Sequence, residues 1–253
     1  MKILLADVET KPNLVASWGL FKQNIAINQI FEPGATISWA AKWVGEKDVS
    51  FMSEYHDGEA EMIQGIHDLL DEADAVITYN GKKFDIPTLN KEFVLYGLPP
   101  PSPYKNIDLY ATVRSQFRFT SNKLDFICQQ LGLGAKVKHK GMDLWRECMD
   151  GNEKSWNQMR RYNIQDVKLL EKLYKHMLPW IKGHPNVALY DSAGKPTCPS
   201  CGSTKLQYRG YSYTQVGKFH RVCCNNCGTW SRERVSALDK EEKRNILTRD
   251  NMS

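Results

Sequence analysis

The sequence lacks any apolar run approaching the ~20 residues that a membrane-spanning helix requires. It has no secretory signal pattern either, because Met1-Lys2-Ile3-Leu4-Leu5 turns acidic at Asp7 before a long apolar region develops. Internal repeats and low-complexity stretches are also missing. We therefore expect a cytoplasmic protein without membrane contact. In such a reducing compartment, its seven cysteines favour metal binding over disulfides.

Excess charge is confined to one short segment. Residues 1–182 hold 23 Lys and Arg against 23 Asp and Glu, and the segments 183–196 and 235–253 are also neutral. Residues 197–234 carry six basic residues and one acid, so the whole net charge of +5 lies there. Such a concentration of positive charge favours a polyanionic partner. In this segment we expect nucleic-acid contacts from Lys205, Arg209, Lys218 and Arg221.

The order of predicted elements indicates an α/β fold. Three strand-like runs come first, then a helical pattern, a buried strand, another helix, a short strand at 106–109 and further helices. The strands are predicted at 3–8, 36–44, 49–55 and 75–79, with helices at 59–72 and 155–177. This order predicts a mixed sheet flanked by helices.

Spacing of Gly and Pro suggests where the chain divides. The predicted parts are a main domain over 1–182, a linker over 183–196, a small module over 197–234 and a polar tail over 235–253.

Four carboxylates stand out by their positions. Asp7 and Glu9 end the first predicted strand, and the two-residue period of a strand directs both side chains to one face. Asp85 lies between a predicted strand and a helix. Asp166 follows Tyr162 by four residues in the last helix, so the two share a helix face. Singly, each acid is more often a solvated or capping side chain; their order along the chain makes the set informative.

The set resembles the DEDD (DnaQ-like) 3′–5′ exonuclease superfamily, whose members have the ribonuclease H-like fold. The matching motif residues are Asp7, Glu9 and Thr10, then Asn80, Gly81, Phe84, Asp85 and Pro87, then Tyr162 and Asp166. With a tyrosine at this position of the third motif, the sequence resembles the DEDDy branch. It looks most similar to exonucleases related to the proofreading domain of family B DNA polymerases. The resemblance spans roughly residues 1–180 and implies a ribonuclease H-like mixed sheet flanked by helices.

This resemblance implies a catalytic set of Asp7, Glu9, Asp85, Tyr162 and Asp166. Its four carboxylates would hold two Mg²⁺ or Mn²⁺ ions, because these hard cations prefer oxygen ligands. It further implies that Asp7 bridges the ions, that Asp85 acts largely through water and that Tyr162 orients the attacking water. Since the ordinary pKa of tyrosine is ~10, we expect the metal to provide most of the deprotonation.

Other polar residues near the motifs have less specific roles. Contacts with substrate are expected from Thr10, Asn80, Lys82 and Lys83. Asp108 either supports the metal ligands or has a structural role. His139 lacks the spacing to Asp143 that the histidine branch of the superfamily would need, so we interpret it as a loop histidine.

The cysteines form two Cys-x-x-Cys knuckles, which are Cys198–Cys201 and Cys224–Cys227, with 22 residues between them. Four thiolates in this spacing predict one structural Zn²⁺ ion. The intervening alternation of apolar and polar residues indicates a hairpin, and the segment resembles a zinc ribbon. Cys223 could replace Cys224, although the Cys-x-x-Cys spacing favours Cys224.

Together these features predict a metal-dependent 3′–5′ exonuclease that converts DNA, most simply single-stranded DNA, to 5′-mononucleotides by a two-metal mechanism. A replication or repair protein is a possible partner. One alternative is an exoribonuclease of the same fold, because no residue in the sequence reads a 2′-hydroxyl. The other is a non-catalytic zinc-ribbon protein that binds nucleic acid.

Overall fold

A five-stranded mixed sheet forms the centre of the first of two units, Met1–Tyr174 and Lys175–Ser253. The computed structural model describes residues 1–190 and 194–248. Parts of the predicted linker and tail, 191–193 and 249–253, lie outside the described residues. The strands of the first unit are β1 (Ile3–Thr10), β2 (Leu14–Val15), β3 (Ile30–Glu32), β4 (Thr36–Trp43), β5 (Ser50–Ser53), β6 (Ala75–Thr78) and β7 (Lys105–Asp108).

The sheet order is β5-β4-β1-β6-β7. β1 pairs antiparallel with β4 and parallel with β6, so it is the central strand where the sheet changes direction. Seven helices accompany the strands: α1 (Glu54–Asp57), α2 (Glu59–Glu72), α3 (Asp85–Leu95), α4 (Leu109–Gln116), α5 (Leu124–Gln130), α6 (Met142–Met149) and α7 (Glu153–Met177). The prediction of a mixed sheet flanked by helices is confirmed.

The two faces of β1 have different partners. Leu4, Ala6 and Val8 point to one face, where they pack with apolar residues of α2 and α3. The alternate residues, which include Asp7 and Glu9, point to the opposite face. On that side, Ile37 of β4 packs with apolar residues of α6 and α7. The apolar packing of both faces therefore determines which direction the two carboxylates take.

Polar contacts also hold α7 against the sheet. Lys42 of β4 is buried, and its Nζ lies 2.6 Å from Glu171 Oε2 of α7. Asn163 is fully buried and accepts a hydrogen bond of 3.3 Å from Ser38 Oγ of β4. Because a buried charge or amide without a partner is unfavourable, these contacts define where α7 lies along the strands.

The segment between β1 and β4 was not predicted as ordered structure. It contains the short antiparallel pair β2–β3, which is separate from the main sheet. The loop between these two strands exposes Trp18 and Phe21 almost completely. These residues lack the sustained period that identifies a strand, so local pattern could not reveal the pairing.

The second unit contains a three-stranded antiparallel sheet in the order β10-β9-β8. Its elements are β8 (Leu206–Tyr213), β9 (Lys218–Cys224), β10 (Trp230–Arg232) and α8 (Lys240–Arg244). The predicted linker contains a short 3-10 helix, Val187–Leu189, and the predicted tail contains α8. None of the described helices combines the length and apolar character that crossing a membrane requires.

A tight turn joins β6 to α3. Asn80 has a positive φ of 67°, and its carbonyl accepts hydrogen bonds from Lys83 N and Phe84 N. A Cβ atom on Gly81 would lie 2.4 Å from both Cβ and Oγ1 of the buried Thr78. Only glycine therefore fits between the strand and the start of the helix at this point.

We expect Gly81→Ala to lower the free energy of unfolding by about 1–3 kcal/mol, because the added methyl group overpacks the turn. Chemical denaturation of the purified variant measures this change. Lys82→Ala is the matched control in the same turn; its side chain is exposed, and we expect a change within about 0.5 kcal/mol. Equal stabilities for wild type and Gly81→Ala would contradict the close contact with Thr78.

Candidate active site and thiol cluster

Three carboxylates from distant parts of the chain meet beside β1. Asp7 and Glu9 come from β1, and Asp166 comes from α7. One carboxylate oxygen of each lies within 4.8 Å of the others. Asn163, one helical turn before Asp166, donates from Nδ2 to Asp7 Oδ2 at 2.7 Å. This bond joins α7 directly to the carboxylate on the central strand, so the helix and the strand position the cluster together.

Asp85 lies outside this three-oxygen cluster but contacts the same strand. It is buried at the first residue of α3, and its Oδ1 accepts a hydrogen bond of 3.2 Å from Val8 N. Burial raises its pKa to about 6, an effect that the hydrogen bond from Val8 opposes. Asp85 is therefore an inward-facing carboxylate beside Asp7 and Glu9, and not the residue that caps α3.

The cluster is electrostatically unfavourable without a cation. Burial raises the pKa of Asp7 well above its ordinary value, and repulsion by Glu9 and Asp166 raises it further. Burial, followed by repulsion from Asp166, raises the pKa of Glu9 to about 8. Asp166 Oδ1 is buried and has no hydrogen-bond partner among the residues that the structure describes. A set of crowded oxygens with one unsatisfied atom fits a bound divalent cation.

Lys136 supplies a positive charge that the sequence analysis missed. Its Nζ lies 2.5 Å from Asp166 Oδ2 and 3.3 Å from the Tyr162 hydroxyl. Burial lowers the pKa of Lys136, but the charges of Asp166, Tyr162 and Asp7 together with the hydrogen bond to Asp166 outweigh that effect, and the net shift is upward. Lys136 precedes α6 in a loop that also contains Lys138 and Lys140, and no spacing distinguishes the inward lysine from the two exposed ones.

Tyr162 is held in an aromatic group beside the carboxylates. Its ring centre lies 4.9 Å from that of His139 and 6.1 Å from that of Trp145. Only 7% of Tyr162 is exposed, and burial raises the pKa of its hydroxyl above the ordinary value. The hydroxyl thus stays protonated at neutral pH. His139 lies in the loop before α6 and packs edge-on against this tyrosine.

A cleft of about 760 Å³ opens at the site. Asp7, Lys136 and Tyr162 line it, together with residues of the β6–α3 turn and the start of α5. Asn80 lines this cleft and also a smaller depression of about 380 Å³, which contains Lys82 and Lys83. Thr10 lines a separate groove beside Trp145. Of the predicted contact residues of this unit, Asn80 lines the cleft that contains Asp7, whereas Thr10, Lys82 and Lys83 line the two smaller spaces.

Asp108 has a structural role in this arrangement. Its Oδ1 accepts hydrogen bonds of 2.9 Å from Asn80 N and from Tyr110 N. The first bond holds the β6–α3 turn, and the second caps the amino terminus of α4. Asp108 therefore shapes the rim of the cleft through backbone groups.

The profile of the RNase H superfamily matches residues 36–178, which is more than half of the chain. The chain belongs to the RNase H superfamily. A solved structure with a similar fold is the family B DNA polymerase from the hyperthermophilic archaeon Pyrobaculum calidifontis, with a TM-score of 0.53 and 17% sequence identity. The similarity covers 70% of this chain and 24% of the polymerase chain, so this protein corresponds to about a quarter of that enzyme. No curated protein matches the sequence.

Membership in this superfamily agrees with the described architecture. The predicted RNase H-like mixed sheet with flanking helices is confirmed. The carboxylates of the cluster come from the central strand and the long helix of this RNase H-like domain. At 17% identity, the polymerase shows a shared fold and nothing more.

Four thiols form a second cluster, in the second unit. One sulfur atom from each of Cys198, Cys201, Cys224 and Cys227 lies within 4.8 Å of the others. Two of the sulfur–sulfur distances, Cys198 to Cys227 and Cys201 to Cys224, are 3.6 Å. A tetrahedral ion bound at ~2.3 Å by thiolates implies sulfurs ~3.8 Å apart. The cysteines are free thiols, so the arrangement fits one tetrahedral metal ion and is compatible with a zinc ribbon.

The four predicted basic contacts of the second unit lie in different places. Arg209 and Arg221 lie beside the ring of Trp230, with guanidinium carbons 5.8 Å and 4.8 Å from the ring centre. Lys218 instead lies over Tyr211 at 4.1 Å. Lys205 is exposed just before β8. The basic residues that give the segment 197–234 its net positive charge are therefore divided between different surfaces of the unit.

The raised carboxylate pKa values predict how stability depends on pH when divalent cations are absent. Between pH 4.5 and about 8 the folded state keeps a proton on Glu9 that the unfolded chain has lost, so the free energy of unfolding falls as the pH rises. Asp7→Asn removes one repelling charge and keeps an oxygen for Asn163. We expect a higher Tm than wild type at pH 8 and a shallower decline with pH.

Thermal unfolding from pH 5 to pH 8 without added divalent metal measures this effect. Asp143→Asn serves as the control, because this exposed acid of α6 lies outside the cluster. Its pH dependence should equal that of wild type. A wild-type slope in Asp7→Asn would contradict the repulsion among the three carboxylates.

Proposed function

We propose that the protein is a metal-dependent 3′–5′ exonuclease that hydrolyses single-stranded DNA to 5′-mononucleotides. The observation that carries this proposal is the approach of Asp7, Glu9 and Asp166 to within 4.8 Å beside an open cleft. Membership in the RNase H superfamily supports a phosphodiester substrate. The choice of DNA over RNA is drawn by analogy from the family B DNA polymerase of similar fold.

Asp7, Glu9 and Asp166 would hold one divalent cation, and Asp85 would help to hold a second. Mg²⁺ or Mn²⁺ suits this all-oxygen set. When bound, the two ions would supply an activated water molecule and stabilise charge on the phosphate and the leaving oxygen. The raised pKa values of the carboxylates support this assignment, since positive charge is what the cluster lacks.

Tyr162 would orient the attacking water and would not take its proton. The raised pKa keeps its hydroxyl protonated, and the rings of His139 and Trp145 restrict its orientation. Before substrate binds, Lys136 would offset the negative charge of Asp166. Because Lys136 Nζ lies close to the Tyr162 hydroxyl, it would also neutralise part of the charge of a phosphate bound beside that hydroxyl.

The substrate strand would lie along the polar rim of the cleft. Asn80 borders both the cleft and the depression that contains Lys82 and Lys83, so the two spaces adjoin at this residue. We propose that the two lysines contact phosphates there and that Thr10 contacts the terminal nucleotide from the other side of Asp7. Exposed lysines beside a carboxylate site suit the phosphodiester backbone of a nucleic acid.

We expect Asp166→Asn and Asp7→Asn each to reduce the release of mononucleotides at least about 1000-fold, because each removes a charged oxygen ligand. The assay is a time course on 5′-labelled single-stranded DNA with Mg²⁺ or Mn²⁺. Wild type should shorten the labelled strand one nucleotide at a time, whereas a strand with a blocked 3′ end should remain uncut. RNA of the same sequence tests the choice of DNA.

Asp143→Asn is the matched control, since it changes an exposed acid of α6 that lies outside the cluster. It should retain wild-type activity. Tyr162→Phe should cleave slowly and bind DNA normally. Full activity in Asp166→Asn, with circular dichroism showing a native fold, would overturn the proposal.

The thiol cluster would hold one structural zinc ion. Zinc accepts four thiolates in a tetrahedral arrangement, and the small second unit has few buried apolar residues to stabilise it otherwise. Cys223 is excluded from this set, because its sulfur lies outside the cluster and instead contacts Cys224 O at 3.9 Å. The metal would therefore contribute directly to the folding of this unit.

Cys224→Ser and Cys223→Ser form a matched pair that tests the assignment. We expect wild type and Cys223→Ser to contain about one zinc ion per chain, because the four ligands remain. Cys224→Ser should lose most of the zinc and become sensitive to proteases within residues 197–234. Elemental analysis and limited proteolysis measure the two effects. Equal zinc loss in both variants would contradict the ligand set.

A further inference from the structure

We propose that one face of the three-stranded sheet in the second unit is a binding site for single-stranded DNA. Trp230 stacks on a base there, and Arg209, Arg221 and Arg232 bind phosphates. We call this surface the arginine–tryptophan face; it consists of Arg209, Phe219, Arg221, Trp230 and Arg232. None of these residues lines the carboxylate cleft, which belongs to the first unit.

The strand register places these residues on one side of the sheet. Trp230 of β10 lies opposite Cys223 of β9, and Arg232 lies opposite Arg221. Residues two apart on a strand share a face, so Trp230, Arg232 and Arg221 point the same way. Arg209 of β8 joins them, because its guanidinium carbon lies 5.8 Å from the centre of the Trp230 ring.

A β-bulge in β8 separates the arginines from the tyrosines. The register shifts between Tyr208 and Tyr211, where Gly210 has a φ of +69°. The extra residue puts Tyr208, Tyr211 and Tyr213 on the same side of the strand, opposite to Arg209. Without it, Tyr208 would face away from Tyr211 and Tyr213. The bulge thus produces one arginine-rich face and one tyrosine-rich face from a strand in which the two residue types are mixed.

The arginine–tryptophan face is preorganised and positively charged. Arg221 lies 4.8 Å from the Trp230 ring and donates from Nε to Arg209 O at 3.1 Å, and Arg232 lies 4.2 Å from the Phe219 ring. Glu233, the only acid within 197–234, accepts a hydrogen bond of 2.6 Å from the Tyr208 hydroxyl. Because Tyr208 belongs to the opposite face, this carboxylate is engaged away from the arginines.

The arginines and the tryptophan of this face favour a single-stranded nucleic acid. Guanidinium groups bind phosphates through two parallel hydrogen bonds, and a polyanion matches a segment that carries +5. Trp230 is 49% exposed, so part of its ring is open to a base. Stacking requires a free base plane, which single strands offer and duplexes hide. The choice of DNA over RNA rests on the proposed exonuclease function.

The test is fluorescence anisotropy of labelled oligothymidylate with the full-length, zinc-loaded protein and no added Mg²⁺ or Mn²⁺. We expect Trp230→Ala to raise the Kd about tenfold, as loss of one stacked base does, while Trp230→Phe retains most of the affinity. The control Tyr213→Ala removes an exposed aromatic ring from the other face and should change the Kd less than about threefold.

A charge-matched pair of double variants tests the arginines. Arg209→Ala with Arg221→Ala removes two positive charges from the arginine–tryptophan face, whereas Lys240→Ala with Lys243→Ala removes two from α8, an exposed helix of the same unit. We expect the arginine pair to lower the slope of log Kd against log salt by about 1.4, since each phosphate contact on a single strand contributes ~0.7. The lysine pair should leave the slope nearly unchanged. Zinc content verifies that each variant is folded.

Three outcomes would overturn the proposal. They are equal weakening by the two double variants, unchanged binding by Trp230→Ala, and competition by duplex DNA or polyglutamate as strong as that by single-stranded DNA. Tighter binding of oligouridylate than of oligothymidylate would overturn the choice of DNA. The assay needs no cleavage, so an inactive carboxylate site and a non-binding ribbon give separate results.

Discussion

Repulsion among three carboxylates held within 4.8 Å is the constraint on which the first unit depends. Burial, followed by repulsion from neighbouring carboxylates, raises the pKa values of Asp7 and Glu9, and burial also raises the pKa of Asp166. The fold opposes this repulsion with apolar packing on both faces of β1 and with the buried contact from Asn163 to Asp7. Lys136 offsets part of the remaining charge. The site is thus kept ready for cations at the expense of stability in their absence.

The same constraint explains the placement of the uncharged groups. Asn163 bonds Asp7 on one side and Ser38 on the other, so a single amide fixes the helix, the central strand and its neighbour together. Tyr162 precedes Asn163 and packs against the rings of His139 and Trp145, and its hydroxyl lies 3.3 Å from Nζ of Lys136, the lysine that pairs with Asp166. Three positions of one helical segment therefore contribute a buried tyrosine, an amide that bonds β1 and β4, and a carboxylate of the cluster.

The second unit also brings similar groups close together, here four thiols, which are softer ligands than carboxylates. Its four thiols stand at the spacing that one tetrahedral ion would produce, and its sheet has few buried apolar residues. Once a metal stabilises such a sheet, both of its faces are free to carry exposed side chains. The bulge at Gly210 then divides them into an arginine-rich and a tyrosine-rich surface. A metal held by these thiols would therefore support the same small sheet that presents both surfaces.

Local periodicity in the sequence determined much of this protein. The two-residue period of β1 was enough to put Asp7 and Glu9 on one face, the four-residue spacing put Tyr162 above Asp166, and Cys-x-x-Cys spacing selected four of seven cysteines. The mixed sheet followed from the order of the elements. Asp108 was recognised as near the site, although its support of the β6–α3 turn required the hydrogen bonds of the structure.

Only the tertiary structure decided which further residues join the sites. Lys136 is one of three similar lysines in a loop, and Asn163 is an ordinary polar residue of a long helix until α7 lies across β1. Arg209 and Lys218 look equivalent as sequence, yet they end on opposite faces of the small sheet. The physical reason is that a period describes one element at a time. Contacts between elements depend on packing and register, which distant residues and a single bulge determine.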